Sequence, residues 1–187
     1  MRIWEFKNYD EYVAEQTRAN KNKINWRYVK EHAINSIVQN KGDEQVKFIV
    51  CHGTRNGTEQ KLFQKNYPSA EIIGTEISET ATQFEMTIQH DFTMPIEEWV
   101  GKADIVYSNS FDHTIDPVKT IQTWRDQLTP EGTLYLEYNE GLSVYEPNDP
   151  LDATMKEVRD MIEGNELKIV TTLKGSCGGT TLVCKRK

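Results

Sequence analysis

We define the deciding stretch of this chain as Val46-Lys47-Phe48-Ile49-Val50-Cys51-His52-Gly53-Thr54-Arg55-Asn56-Gly57. Its first half, residues 46–51, is a short apolar run with β-branched side chains, which is typical of a buried strand. Its second half holds Gly53 and Gly57, and glycine permits positive φ and a close approach of the backbone to a ligand. The stretch therefore predicts a buried strand that ends in a ligand-binding turn.

Strands and helices alternate after this turn. We predict further strands at residues 72–76, 87–90, 103–109 and 133–138, and helical segments at 59–66, 95–100, 117–128 and 151–163. Alternation at these lengths indicates an α/β fold with a doubly wound, Rossmann-like, mostly parallel sheet. The last two strands, 167–173 and 180–184, are joined by a connection too short for a crossover helix. They are therefore predicted to form a C-terminal antiparallel hairpin.

The segment before the deciding stretch, residues 1–42, is predicted to be a helical cap on a core of residues 45–187. From Trp26 onward, apolar residues recur at steps of three and four, which indicates one helix face packed on the core and ending at Gly42. Residues 18–30 carry basic but no acidic side chains. This basic stretch is either a solvated helix face or a patch near an anionic ligand.

Composition excludes several classes of protein. A chain of 187 residues fits one domain, and its net charge of −7 argues against generic binding to nucleic acid. No apolar run is long enough to span a membrane, and the N-terminus lacks the apolar stretch of a signal peptide. The three cysteines form no Cys-x-x-Cys pair, which argues against disulfides and structural zinc. We expect a cytoplasmic protein with no membrane or nucleic-acid partner, and the sequence leaves the oligomeric state open.

Polar residues follow the predicted strands at the edge where ligands bind in open parallel sheets. Glu76 ends the second strand, where a carboxylate can accept both hydroxyls of a ribose. Asp91 follows the third strand and could accept a hydrogen bond from an adenine amine. Residues 108–110, Ser-Asn-Ser, end the fourth strand at the same edge. The pattern shows no structural partner for Glu76, so its replacement is expected to affect ligand binding rather than stability. Alternatively, Glu76 pairs with a nearby Lys or Arg, and its replacement would then lower the melting temperature and leave affinity unchanged.

Several segments together resemble the class I S-adenosylmethionine-dependent methyltransferases, over roughly residues 45–140. They are Cys51-His52-Gly53-Thr54-Arg55-Asn56-Gly57 (acidic-x-Gly-x-Gly-x-Gly in the family), Ile72-Ile73-Gly74-Thr75-Glu76, His90-Asp91-Phe92, Asp112-His113-Thr114-Ile115-Asp116-Pro117 (Glu-His-x-x-Asp-Pro) and Leu128-Thr129-Pro130-Glu131-Gly132-Thr133-Leu134 (Leu-x-Pro-Gly-Gly-x-Leu). The resemblance implies one methyltransferase-like domain over residues 1–187, with S-adenosylmethionine as cofactor and a small molecule as methyl acceptor. The cofactor-binding residues that it implies are Cys51, His52, Gly53, Thr54, Arg55, Gly57, Glu76, Ile77, Asp91, Phe92, Ser108, Asn109 and Ser110.

Two residues depart from the family pattern. Cys51 stands where the family usually has an acid, and this change removes a usual indirect contact to the cofactor's amino group. Arg55 stands where the family has its middle glycine. Arg55 could pair with the cofactor's carboxylate, with an anionic substrate, or with Glu59 as an i,i+4 salt bridge.

His113 is the histidine that the pattern places at the mouth of the crevice. It could act as a general base in methyl transfer, or it could only order its loop or contact the cofactor. The acceptor site is expected between the N-terminal helices and the loop of residues 139–149. Its candidate walls are Trp26, Tyr28, Phe111, Tyr138 and Tyr145, each of which could equally be a core residue. No group of side chains has the spacing of metal ligands, so no metal is expected.

Two other functions use the same features. A catalytically silent module could bind S-adenosylmethionine, or nothing, and act as a scaffold, and the altered first motif favours this alternative. A nicotinamide-dependent oxidoreductase would use the same glycine turn and Glu76. The C-terminal hairpin and the lack of a Tyr-x-x-x-Lys pair argue against the oxidoreductase.

Overall fold

A computed structural model describes residues 1–42, 45–141 and 145–187 of the chain. The strands are β1 (Arg2–Ile3), β2 (Phe48–His52), β3 (Glu71–Glu76), β4 (Thr87–Gln89), β5 (Ala103–Ser108), β6 (Leu128–Tyr138), β7 (Leu151–Asp152), β8 (Leu167–Lys174) and β9 (Thr180–Arg186). The α-helices are α1 (Tyr9–Asn22), α2 (Glu31–Lys41), α3 (Thr58–Asn66), α4 (Pro117–Gln127) and α5 (Met155–Gly164). Short 3₁₀ helices lie at Glu79–Gln83, Glu97–Trp99, Phe111–His113 and Ser176–Gly178.

The main sheet has seven strands in the order β4-β3-β2-β5-β6-β9-β8. The five strands from β4 to β6 pair in parallel, while β9 pairs antiparallel with both β6 and β8. The predicted α/β fold, a mostly parallel sheet closed by an antiparallel hairpin, is confirmed. Strand order reverses between β2 and β5, so the loops after these two strands meet at the switch point where such sheets bind ligands.

Helices cover both faces of the sheet. Successive side chains of β2 point to opposite faces, so Val50 packs with Trp124 of α4 in one core cluster. Ile49 packs with Ile34 of α2 and Phe63 of α3 in the other cluster. Strands buried on both faces read as continuous apolar runs, which explains why the deciding stretch has no polar alternation.

Local signals place most helix ends correctly. Asp116 accepts a hydrogen bond from the Lys119 amide and caps α4, with Pro117 in the first turn. Gly42 ends α2 with a φ of +68°, as predicted. The predicted start of that helix is wrong, because α2 begins at Glu31 and Trp26 lies before it with 65% of its surface exposed.

The segment around Leu151 also differs from the prediction. Leu151–Asp152 is a strand, β7, that pairs antiparallel with Arg2–Ile3. The following helix therefore starts only at Met155, where Thr154 and Glu157 form a capping box. In the part of the chain that the structure describes, no helix is long and apolar enough to cross a membrane.

Candidate functional site

Two neighbouring cavities open beyond the carboxyl ends of β2, β3 and β5. The larger cavity has a volume of about 350 Å³ and contains, among its walls, Thr54, Asn109, Glu59 and Glu137. The smaller cavity has a volume of about 50 Å³ and is lined by Glu76, Ile77, Asp91 and Phe92, and by side chains of α1. Both cavities are lined by Lys23, Gly53, Arg55, Ser110 and His113. They are therefore two parts of one site that meet at the glycine turn.

The turn after β2 is held tightly against its neighbours. The amides of Gly53 and Thr54 both donate to the Thr75 carbonyl of β3, at 2.9 and 3.0 Å. Gly53 has a φ of +70°, and a Cβ atom there would lie 2.5 Å from the Ser110 Cβ. A side chain cannot fit at this position, so glycine is required both by its backbone angle and by the close approach of Ser110.

Glu76 is buried at the end of β3, with its carboxylate at the smaller cavity. One carboxylate oxygen accepts a hydrogen bond from the Arg55 amide at 3.1 Å, and the other accepts from the Ser78 amide at 3.0 Å. Burial raises the pKa of Glu76. The expectation that Glu76 lacks a structural partner is therefore corrected, because its carboxylate joins the glycine turn to the start of the next helix. Each oxygen keeps a second lone pair that can accept from a ligand.

Asp91 lies across the smaller cavity and is contacted by the N-terminal helix. Its carboxylate accepts from the Thr93 amide and from the Tyr9 hydroxyl, both at 2.8 Å. Tyr12 of the same helix donates to the His113 carbonyl at 3.0 Å. Helix α1 is thus the roof of the smaller cavity, a role that the sequence did not reveal.

His113 lies between the two cavities with one ring nitrogen already engaged. Its Nδ1 lies 2.6 Å from the Asn148 carbonyl, which can only accept, so Nδ1 carries the proton. In this tautomer Nε2 is the ring nitrogen that can accept, and the nearest carboxylate to Nε2 is Asp112 at 3.9 Å. Burial raises the pKa of Asp112, and the neighbouring Asp149 adds to the effect. The geometry allows His113 to accept a proton, and its catalytic role remains a prediction.

The structure also gathers Asp112, His113 and Asp149, with ligand atoms within 4.8 Å of one another. Sequence spacing missed this group because Asp149 comes from a separate loop. The His113 ring nitrogen nearest Asp149 is the one that already donates to Asn148.

Four of the residues expected to bind the cofactor line neither cavity: Cys51, His52, Gly57 and Ser108. The His52 ring is buried, with its nitrogens 2.9 Å from the Thr75 hydroxyl and from the Gln127 amide oxygen. It stacks on Trp124, and burial lowers its pKa to about 3. His52, one of the cofactor-binding residues that the resemblance implies, therefore has its side chain in the core and not at a cavity. It packs under the turn because alternate side chains of a strand point to opposite faces.

Three of the five candidate aromatic walls line the larger cavity: Trp26, Tyr28 and Tyr138. Phe111 belongs to the core, and Tyr145 packs instead against Trp4. Asn139 and Asp149, the ends of the predicted acceptor loop, also line the cavity, whereas residues 142–144 of that loop lie outside the described residues.

Two buried carboxylates in the larger cavity were missed from the sequence. Glu137 accepts hydrogen bonds from the Tyr107 hydroxyl at 3.0 Å and from the Ser176 amide at 2.6 Å. Glu59 accepts a long bond from the Asn109 amide group, at 3.3 Å, and its Oε2 has no hydrogen-bond partner among the described residues. Burial raises the pKa of Glu59 to about 7. A possible signal was its place in the first turn of α3, two residues after Gly57.

No protein-family model and no curated protein matches the chain. Among solved structures it is similar to a chain from the complex between the Haloferax volcanii Trm112 methyltransferase activator and a methyltransferase, with a TM-score of 0.73 and 16% identity over 94% of this chain and 97% of that one. It is also similar to 1,6-didemethyltoxoflavin-N1-methyltransferase of Burkholderia thailandensis, solved with S-adenosylhomocysteine, at a TM-score of 0.73 and 10% identity over 98% and 92% of the two chains.

A third similar structure is a TehB-like SAM-dependent methyltransferase from Corynebacterium glutamicum, with a TM-score of 0.63 and 14% identity over 95% of this chain and 97% of that one. The likeness in all three cases covers nearly the whole of both chains, while the identities are low. This likeness therefore indicates a shared arrangement of strands and helices. The chain has the fold of the class I S-adenosylmethionine-dependent methyltransferases.

Proposed function

We propose that the chain binds S-adenosylmethionine across the two cavities and transfers its methyl group to a small molecule in the larger one. The observation that carries this proposal is the meeting of both cavities at the Gly53 turn, where added side-chain atoms would clash with Ser110. The relatives of similar fold support it, since the Burkholderia enzyme was solved with S-adenosylhomocysteine and a small-molecule ligand.

The side chains around the smaller cavity suit the nucleoside part of the cofactor. Glu76 and Asp91 offer carboxylate oxygens to hydroxyl and amine donors, and the Phe92 ring offers an apolar surface. The larger cavity suits the amino-acid arm near the turn and the acceptor beyond it. Its far wall carries Tyr28 and Tyr138, which can enclose a small acceptor and exclude water.

The bound cofactor would supply a methyl group activated on a sulfonium. The protein would contribute mainly alignment, because holding two reactants in line converts a bimolecular step into an effectively unimolecular one. His113 lines both cavities and presents Nε2 as an acceptor, so it would take the proton of a hydroxyl or amine acceptor.

A binding series followed by an activity screen tests the proposal. Calorimetric titration of the purified chain should show binding of S-adenosylhomocysteine and none of NADH. Incubation with methyl-labelled cofactor and a panel of small acceptors should then label at least one of them. Binding of NADH alone would overturn the proposal in favour of the oxidoreductase, and cofactor binding without transfer to any acceptor would favour the silent module.

A further inference from the structure

Glu59 is a buried acid whose surroundings do not satisfy it. It is 6% exposed, it lines the larger cavity, and its Oε2 has no hydrogen-bond partner among the described residues. The salt bridge that its spacing from Arg55 would permit is not formed. An unpaired buried carboxylate is costly to a folded protein. Such a group at a cavity wall points to a positively charged ligand that completes it.

The other carboxylates of the larger cavity have different surroundings. Both oxygens of Glu137 accept hydrogen bonds, from Tyr107 and from Ser176. Asp112 and Asp149 lie beside the His113 ring, 3.9 and 3.6 Å from its nitrogens. Among the described residues that line this cavity, Glu59 is the acid with a buried carboxylate oxygen that accepts no hydrogen bond.

Cys51 leaves this part of the site without another negative charge. Its thiol is fully buried, and burial raises its pKa far above neutrality, so that it stays neutral. Glu59 lines the larger cavity together with Gly53 and Thr54, which belong to the turn that begins just after Cys51 and His52. It therefore places a carboxylate near the position where the methyltransferase pattern has an acid and this chain has none.

We propose that Glu59 receives the ammonium group of the cofactor's amino-acid arm and is a positioning residue for that arm. The inference rests on the proposed function, because it requires the nucleoside in the smaller cavity and the arm at the turn. The Asn109 amide donates to one oxygen of Glu59, and Oε2, which is buried and accepts no hydrogen bond, is the atom that would receive the ammonium when the arm binds. A neutral residue at Cys51 is then compatible with tight cofactor binding.

Two ligands that differ only in the arm separate this role from a structural one. S-adenosylhomocysteine carries the amino-acid arm, and 5′-methylthioadenosine has the same nucleoside and thioether without it. Both are titrated into the unmodified chain and into Glu59→Gln, Glu137→Gln and Glu71→Gln. Glu71 is an exposed carboxylate at the opposite end of β3 and controls for the loss of one negative charge.

We expect Glu59→Gln to weaken S-adenosylhomocysteine binding by about 10- to 100-fold, the range for a lost hydrogen bond to a charged group. Binding of 5′-methylthioadenosine should stay the same, which also shows that the variant is folded. Equal losses for both ligands, no loss for either, or an arm-specific loss in Glu137→Gln instead would overturn the inference and leave the proposed function standing. Failure of the unmodified chain to bind S-adenosylhomocysteine would overturn both.

Discussion

The buried acid Glu59 should make the stability of the protein depend on pH. Its pKa is about 7 in the folded state against an ordinary value of 4.5, so the folded state holds the proton more tightly than the unfolded one. This stabilisation is complete below pH 4.5 and is lost as pH rises through 7. Glu59→Gln removes the ionisable group. It should therefore be more stable than the unmodified chain at pH 8, by up to about 3 kcal/mol, and not at pH 4.5.

Urea unfolding at pH 4.5, 6 and 8 measures this difference. Glu71→Gln, whose carboxylate is exposed, should show no such trend and controls for the change in net charge. A Glu59→Gln variant whose stability follows that of the unmodified chain at all three values of pH would contradict the prediction. The buried Glu59 carboxylate destabilises the fold at neutral pH, and such groups are typical of ligand-binding sites.

Glu76 should affect both cofactor binding and stability. Glu76→Ala removes the acceptor for the Arg55 and Ser78 amides as well as the proposed acceptor for the ribose hydroxyls. We expect S-adenosylhomocysteine binding to weaken by about 10- to 100-fold and the free energy of unfolding to fall by about 1–3 kcal/mol. Glu76→Gln keeps one acceptor and should be milder in both measurements. Calorimetry and urea unfolding of the two variants test this, and full affinity in Glu76→Ala would refute the placement of the ribose.

Gly53 has a matched control elsewhere in the chain. Gly53 and Gly101 both have a φ of +70°, yet a Cβ at Gly101 meets no atom within 4 Å, whereas one at Gly53 meets Ser110. Alanine at either position is destabilised by the positive φ. The difference in melting temperature between the two variants therefore measures the clash of the added Cβ with Ser110. We expect Gly53→Ala to abolish cofactor binding and to lower the melting temperature more than Gly101→Ala does. Equal effects of the two substitutions in calorimetry and thermal unfolding would show that the close approach has no role.

Among the secondary-structure elements, those with local signals were predictable and those fixed by distant partners were not. Asp116 and Gly42 mark helix ends through their own backbone chemistry, so the sequence alone locates them. Strand β7 exists because Leu151–Asp152 pairs with Arg2–Ile3 at the other end of the chain, and no local pattern carries that information. The helical spacing of apolar residues begins at Trp26, before the true start of α2 at Glu31. Tertiary packing decides that Trp26 is exposed, and the local spacing does not carry that information.

Helix α1 should control access to the smaller cavity. The volume of about 50 Å³ beneath it is below the range of about 300–1,000 Å³ for small-ligand pockets, so we expect α1 to shift when a nucleoside binds. The Tyr9 hydroxyl holds α1 to Asp91 and occupies the carboxylate that the adenine amine would use. Tyr9→Phe should therefore speed association of S-adenosylhomocysteine by about 2- to 10-fold, the value of one hydrogen bond. Stopped-flow measurement of an unchanged association rate would contradict a gating role for this contact.

Only part of the candidate site could be predicted from the sequence. The residues that follow β2, β3 and β5 could be predicted, because parallel strands bring their carboxyl ends to one edge. The roof formed by α1 and the contact of Asn148 with His113 could not, because they join segments far apart in the chain. Glu59 was missed for a different reason. An acid in the first turn of a helix is ordinary, and Glu59 differs only in being buried with one carboxylate oxygen that accepts no hydrogen bond from the described residues.

The pairing of Arg2–Ile3 with Leu151–Asp152 has a consequence for the energetics of binding. This pairing anchors the segment that leads into α1, so a ligand bound beneath α1 and the docking of the first residues stabilise each other. Saturating S-adenosylhomocysteine should slow amide hydrogen exchange in β1 and α1 more than in the core strand β2, as mass spectrometry can show. Uniform slowing over all strands would argue against this coupling. Deleting residues 1–6 should weaken ligand binding even though none of them lines either cavity. The measured affinity includes the free energy of docking these residues, because their docking keeps α1 over the ligand.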